Sequence, residues 1–263
     1  MKNGIDVSQW QGNIDWKNVN TGFCIIRAGY GRVISQKDPK FEEYYNGCKS
    51  KGIPCGVYWY SYAKTPAEAA IEADVCLQVI KGKQFEYPIY FDVEEQSLFN
   101  TGRANTSAVI RAFLSKVESA GYYVGLYMSA SPLNTYVEND IKTRYAIWVA
   151  HYGVSKPSYS GAYGIWQKSG TGRVNGINGD VDLDESYVDY PTVIKNAGLN
   201  GFPKPATKPA TTTNNTTTTA QPVTKDVEIK IGNDVYVGKL TKKQWFYIKT
   251  IDNKIFFHGD FLF

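Results

Sequence analysis

Along the first 200 positions, short apolar runs rich in β-branched and aromatic residues alternate with longer stretches in which apolar residues recur at helical spacing. The runs fall at 4–7, 23–27, 53–60, 87–93, 122–127, 146–150 and 164–167, with a weaker one near Val181. The intervening pattern predicts helices over 39–51, 66–81 and 105–120; Pro66 suits a first helical turn, and Asn105 or Thr106 is the expected cap of the last. Strands that are apolar at nearly every position need cover on both faces, so the alternation argues an α/β fold with a parallel sheet. Seven or eight such strands fit a compact, modified (β/α) TIM-like barrel with reduced helices, the later ones short or missing. An open doubly wound sheet is the alternative, but no GxGxxG follows an early strand, so no dinucleotide is indicated.

The pattern breaks at 203–224, where 9 of 22 positions are Thr and 4 are Pro. A segment with so little to bury reads as a flexible linker. Beyond it, 227–231, 235–240, 244–248 and 255–257 alternate apolar with polar residues, and Gly232-Asn233-Asp234 and Asp252-Asn253 supply turn chemistry. The expected organisation is therefore a domain at 1–200, a linker at 201–224 and a small antiparallel β module at 225–263. A module of that size is near the lower limit for independent folding, so packing on a partner, including another copy of itself, is expected to support it.

Composition narrows the chemistry. The chain has 20 Tyr, 12 Phe and 6 Trp but only 2 His, which disfavours histidine triads, histidine-ligated metals and imidazole proton shuttles. No metal and no cofactor are expected. The formal charge of +4 is local: residues 1–200 hold 20 basic and 20 acidic side chains, residues 201–263 hold 9 and 5. A basic tail implies an anionic partner, yet there is no basic cluster beyond Lys242-Lys243 and no recognition motif, so nucleic acid is not expected. A strand begins almost at Met1, leaving no room for an export signal, and no apolar stretch is long enough for a membrane span, so synthesis in the cytoplasm is expected. In that reducing setting Cys24, Cys48, Cys55 and Cys76, which lack CxxC spacing, read as buried free thiols.

Carboxylates remain as the chemical groups. In the run 87–95, Asp92 and Glu94 lie two apart and so share a face at the C-terminal end of a strand, where parallel barrels build their sites. Neighbouring carboxyls raise each other's pKa, which keeps one protonated as a general acid. Asp6 ends the first strand and Asp182 lies in the last; in a closed barrel these strands are neighbours, so both acids are expected at the same mouth. Acids among aromatic rings suit cleavage of a glycosidic bond and stacking on sugar faces.

The motifs Asp6-x-Ser8-x-x-Gln11-Gly12, Phe23-Cys-Ile-Ile-Arg27-Ala-Gly-Tyr-Gly31, Gly56-Val-Tyr58-Trp-Tyr60-Ser-Tyr62, Asp92-x-Glu94, Trp148-Val-Ala-His-Tyr152, Trp166-Gln167 and Val181-Asp182-Leu183 occur together and in order. In this combination the sequence resembles the family 25 glycoside hydrolases, the N-acetylmuramidase lysozymes of bacteria and their phages, over residues 3–195. The resemblance implies a barrel with fewer helices than strands and hydrolysis of the β-1,4 bond from N-acetylmuramic acid to N-acetylglucosamine in peptidoglycan. It also implies Glu94 as the general acid, Asp92 beside it, and Asp6 and Asp182 as shapers of the site.

Either direct attack by Asp92 or its assistance to the substrate's acetamido group would give retention, and both remain open. Tyr62, Tyr60, Trp148, Trp166 and Gln167 are the expected substrate contacts. Arg27, inside an apolar strand, is expected to pair with a buried carboxylate, and His151 and His258 are expected to be structural or surface residues. The partners expected are peptidoglycan glycan strands and, for the tail, an anionic Gram-positive wall polymer or a second copy of the chain. The expected site of action is the bacterial wall after release from the cell, as for an endolysin. The competing readings are a chitinase-like enzyme, whose leading acids would fall at Tyr87 and Tyr90, a glucosaminidase, and a non-catalytic carbohydrate-binding protein.

Overall fold

A computed structural model describes residues 1–205 throughout and, beyond them, the backbone of four strands. Its two compact units are Met1–Thr207 and Lys208–Phe263. The first is a closed barrel of eight strands, β1 (Lys2–Val7), β2 (Cys24–Tyr30), β3 (Cys55–Tyr60), β4 (Ile89–Asp92), β5 (Val124–Ser129), β6 (Ala146–Ala150), β7 (Ile165–Gly172) and β8 (Val181–Ser186). β3 and β4 begin one residue after Pro54 and Pro88, so these strands are shorter than the apolar runs that predict them. A proline lacks the N–H that a ladder requires.

The helices are α1 (Phe41–Lys51), α2 (Pro66–Ile80), α3 (Gln96–Phe99), α4 (Arg103–Ser119), α5 (Ala130–Tyr136), α6 (Asn139–Arg144) and α7 (Tyr190–Ala197). α5 and α6 are short, and no helix links β6 to β7 or β7 to β8. α2 begins on Thr65, whose hydroxyl accepts the Glu68 N–H, with Pro66 in its first turn. α4 departs from expectation: its cap is Gly102, and both Asn105 and Thr106 lie inside it. Asn105 donates instead to the Lys64 carbonyl at 2.9 Å.

The expectation of a purely parallel sheet is also corrected. β1 to β7 run parallel, whereas β8 is antiparallel to both β7 and β1 and closes the barrel between them. Only residues 173–180 connect β7 to β8, and a parallel crossover requires a dozen or more.

Alternation on the strands divides the core into two shells. Outward side chains such as Val57, Phe91 and Leu126 pack with the helices, and Phe91 stacks on Phe113 of α4 at 4.0 Å between centroids. Inward side chains, among them Tyr90, Tyr127, Trp148 and Ile165, fill the barrel. Below them, the fully buried Asn200 accepts the Tyr123 N–H at 2.7 Å and donates to the carbonyls of Phe85 and Tyr87 at 3.0 and 2.9 Å. Its φ of 55° is in the left-handed region, which asparagine tolerates better than most residues. The four cysteines are buried free thiols, and no helix among the described residues is long and apolar enough to cross a membrane.

In the second unit, β9 (Thr224–Ile231) pairs antiparallel with β10 (Asp234–Thr241), and β11 (Tyr247–Ile251) with β12 (Lys254–His258). The linker from residue 206 to 223 and the tail's side chains, His258 included, lie outside the described residues.

Candidate active site

The inward positions at the C-terminal ends of the parallel strands enclose a cleft of about 360 Å³ lined by Asp6, Asp92, Glu94 and Asp182 together with aromatic rings. A larger hollow, of about 560 Å³, lies among residues that precede β6 and β7, at the opposite end of those strands, and no carboxylate lines it. The carboxylates therefore gather at the smaller cleft, which is the candidate site.

Each acid is placed by strand register. Asp6 of β1 sits opposite Asp182 of β8, and β4 delivers Asp92, with Glu94 just beyond it on the same face. Asp92 is buried, whereas Glu94 opens onto the cleft. Burial raises the pKa of both. The two carboxyls are coupled, and the charge of Glu94 raises Asp92 further. The pair thus holds one proton to higher pH than an isolated carboxyl, and Glu94 is its open member.

Asp184, absent from the sequence-derived site, forms the second half of the acid cluster. It lies two residues beyond Asp182 on the same face of β8, is buried, and accepts the Trp148 indole N–H at 2.8 Å. Burial first, then the charge of Asp182, pushes it up to about 8, against hydrogen bonds from Trp148 and Asp6. Asp6 is likewise raised, by burial and by the charges of Asp184 and Asp182; Asp182 is pushed up to about 6, chiefly by burial.

Gln167 joins these groups. Its side-chain amide donates to Asp6 at 2.7 Å, and its oxygen accepts the hydroxyls of Tyr127 at 2.7 Å and Tyr152 at 2.6 Å. Neither tyrosine was among the expected contacts. Trp148 stands inside the barrel with its indole committed to Asp184. Tyr60 lines the cleft and donates to Glu95 at 2.8 Å; Tyr62 stands exposed beside it, ring centroids 5.1 Å apart.

Trp166 is the expected contact that the fold does not bring to the cleft. It points into the outer core and donates to the His151 carbonyl at 2.8 Å. Adjacent residues on a strand face opposite ways, so Trp166 and Gln167 cannot both look inward. The His151 ring accepts the Ser158 N–H at 3.0 Å and borders a hollow that adjoins the cleft at Glu94.

The segment after β1 supplies the rim. The Ser8 N–H donates to the Gln11 side chain at 2.8 Å, and Gln11 reaches the Asp180 carbonyl at 3.2 Å. Gly12, at φ 66°, ends this turn in a conformation that side chains with a Cβ disfavour. The turn presents Trp10, 77% exposed, at the edge of the cleft.

Comparison with known proteins bears on the barrel as a whole. The autolytic lysozyme of Clostridium acetobutylicum is 29% identical over 185 residues, which cover 69% of this chain and 55% of that protein. Lysozyme M1 of Streptomyces globisporus is 30% identical over 198 residues, covering 69% and 66%. The chain therefore spans little more than half the length of the first relative. Among solved structures, the CTP1L endolysin superposes with a TM-score of 0.66 at 28% identity, over 74% of this chain and 70% of that one. A bacterial lysozyme from Streptomyces coelicolor gives 0.65 at 28% identity, over 74% and 96%. The profile of the glycosyl hydrolases family 25 matches residues 5–177, which include every cleft acid before β8, and by this match over more than half its length the chain belongs to that family.

Proposed function

We propose that the protein is a lysozyme that hydrolyses the β-1,4 bond between N-acetylmuramic acid and N-acetylglucosamine in bacterial peptidoglycan, with retention at the anomeric carbon. One observation carries this reading: the proton-holding pair Asp92 and Glu94 faces an acid-lined cleft at the C-terminal mouth of a family 25 barrel. Glu94, open to the cleft, gives its proton to the bridging oxygen and later activates the water. Asp92 works beside it, either by attacking the anomeric carbon or by orienting the acetamido group so that its carbonyl oxygen attacks; both routes retain configuration. Asp6 and Asp182 stabilise the positive charge that develops on the sugar ring. Tyr60, Tyr62, Trp148 and Gln167 contact the glycan, and Trp166 is left to the core.

The wall is the place of action. The basic tail, 225–263, serves as an anchor on an anionic wall polymer, or holds copies of the chain together. Glu94→Gln is expected to keep the fold and to abolish clearing of purified walls followed by turbidity. Mass spectrometry of the wild-type digest should show new reducing ends on N-acetylmuramic acid; reducing ends on N-acetylglucosamine would make the enzyme a glucosaminidase, and full activity of the variant would remove the assignment.

A further inference from the structure

Arg27 is the one cation among the residues that line the cleft, and the acids around it do not hold it. Its Nε donates to Asp38 at 2.7 Å, the two side chains being 12% and 1% exposed. Asp38 also accepts the Gln9 N–H at 3.0 Å and the Lys40 N–H at 2.8 Å, so its oxygens are engaged from three sides. The Tyr30 ring lies beneath the guanidinium, 5.9 Å from its centroid. The plane of the group is thereby fixed from two directions. Its Nη2 is buried and has no hydrogen-bond partner, and a charged donor left unpaired in this way is rare in folded proteins.

A guanidinium held by its Nε side, in a cleft where no other cation stands among the described residues, suits an acceptor oxygen on a ligand. Resting on the lysozyme reading, the candidate acceptors are acyl carbonyls. N-acetylglucosamine offers one, in its acetamido group; N-acetylmuramic acid offers a second, in the lactyl group at C3, whose carboxyl is an amide where a stem peptide is attached. We propose that Arg27 is a specificity-determining residue that donates its free guanidinium edge to an acyl carbonyl oxygen of the muramic acid residue in the cleft.

Arg27→Lys tests this, because an ammonium keeps both the charge and the Asp38 pair but loses the planar second edge. Affinities are measured by calorimetry in the Glu94→Gln background, which binds without cleaving. The ligands are an N-acetylmuramic acid–N-acetylglucosamine oligosaccharide with its lactyl carboxyls amidated, a chito-oligosaccharide of equal length, and the amidated muramyl oligosaccharide without its N-acetyl groups. Arg27→Lys is expected to weaken the first about tenfold, the loss of one charged hydrogen bond. If the chito-oligosaccharide is spared, the acceptor is the lactyl carbonyl. If the chito-oligosaccharide weakens equally and the deacetylated ligand is spared, it is the acetamido carbonyl.

Affinities within twofold for all three ligands would overturn the proposal, including the case in which only the pH profile of the active enzyme moves, since Arg27 would then act only as a charge beside Asp92. Should Arg27→Lys lose its native circular dichroism, Arg27→Gln with Asp38→Asn replaces it with an uncharged pair and the same outcomes apply. Failure of the wild-type protein to release muramyl reducing ends is a different result, which removes the lysozyme reading itself.

Discussion

Asp184 shows what it costs to bury an acid behind those that line the cleft. Its pKa in the folded chain, about 8, stands above the ordinary 3.8, so the native state holds this proton more tightly than the unfolded chain. The stability it contributes is fully present below the unfolded value and declines as pH rises from about 4 through 8. Asp184→Asn keeps the shape, still accepts the Trp148 N–H and does not titrate. Thermal unfolding should find the variant equal to wild type near the acid end of that window and more stable at the alkaline end, by several kcal/mol; parallel pH profiles would refute this. Residue by residue, period-2 alternation made the shared face of Asp92 and Glu94 legible, and closure of the barrel, first strand beside last, put Asp6 and Asp182 at the same mouth. The alternation rule, carried one step further, places Asp184 inside and Trp166 outside. The roles of Tyr127 and Tyr152 were not legible, because what marks them, a shared bond to the Gln167 oxygen, joins residues far apart in sequence and leaves no local pattern.

Among the elements, α2 reaches the site through one buried side chain. Glu72 accepts the Ser61 hydroxyl at 2.7 Å and the Tyr62 N–H at 2.9 Å, which ties the end of β3 and its exposed ring to the helix behind. Burial, opposed by those two hydrogen bonds, pushes it up to about 7. Glu72→Ala leaves a buried hydroxyl and a backbone N–H unpaired and is expected to cost roughly 1–3 kcal/mol in denaturant unfolding, whereas Glu72→Gln should recover most of that; equal losses in both would contradict the hydrogen-bond account. Element type was readable wherever the apolar period was sustained, as in α2, β3 and β4. The direction of β8 was not, because the run that predicts β7 stops at 167 while the strand extends to Gly172. Once β7 has its full length, the short connection to β8 leaves only a reversal.

For the whole molecule, the separation into two units argues that cleavage and retention on a surface are divisible. A chain ending at residue 205 keeps the complete barrel core and every cleft residue. It should cleave soluble glycan fragments within about twofold of the full protein and sediment less with intact walls, an effect steepest at low salt if the basic tail meets an anionic polymer. Unchanged sedimentation at every salt concentration would remove the tail's anchoring role, and light scattering of both chains would show whether the tail joins copies.

Trp10 gives the molecule a further property. Trp16, Trp59, Trp148 and Trp166 are at most 9% exposed, whereas Trp10 stands 77% exposed on the rim of the cleft, and Trp245 belongs to the separable tail. In the chain ending at residue 205, a water-borne quencher such as iodide would reach the Trp10 indole in preference to the rest. The fraction of emission open to quenching would then measure how much of the rim a glycan covers, so the protein carries its own optical gauge of occupancy without an attached dye.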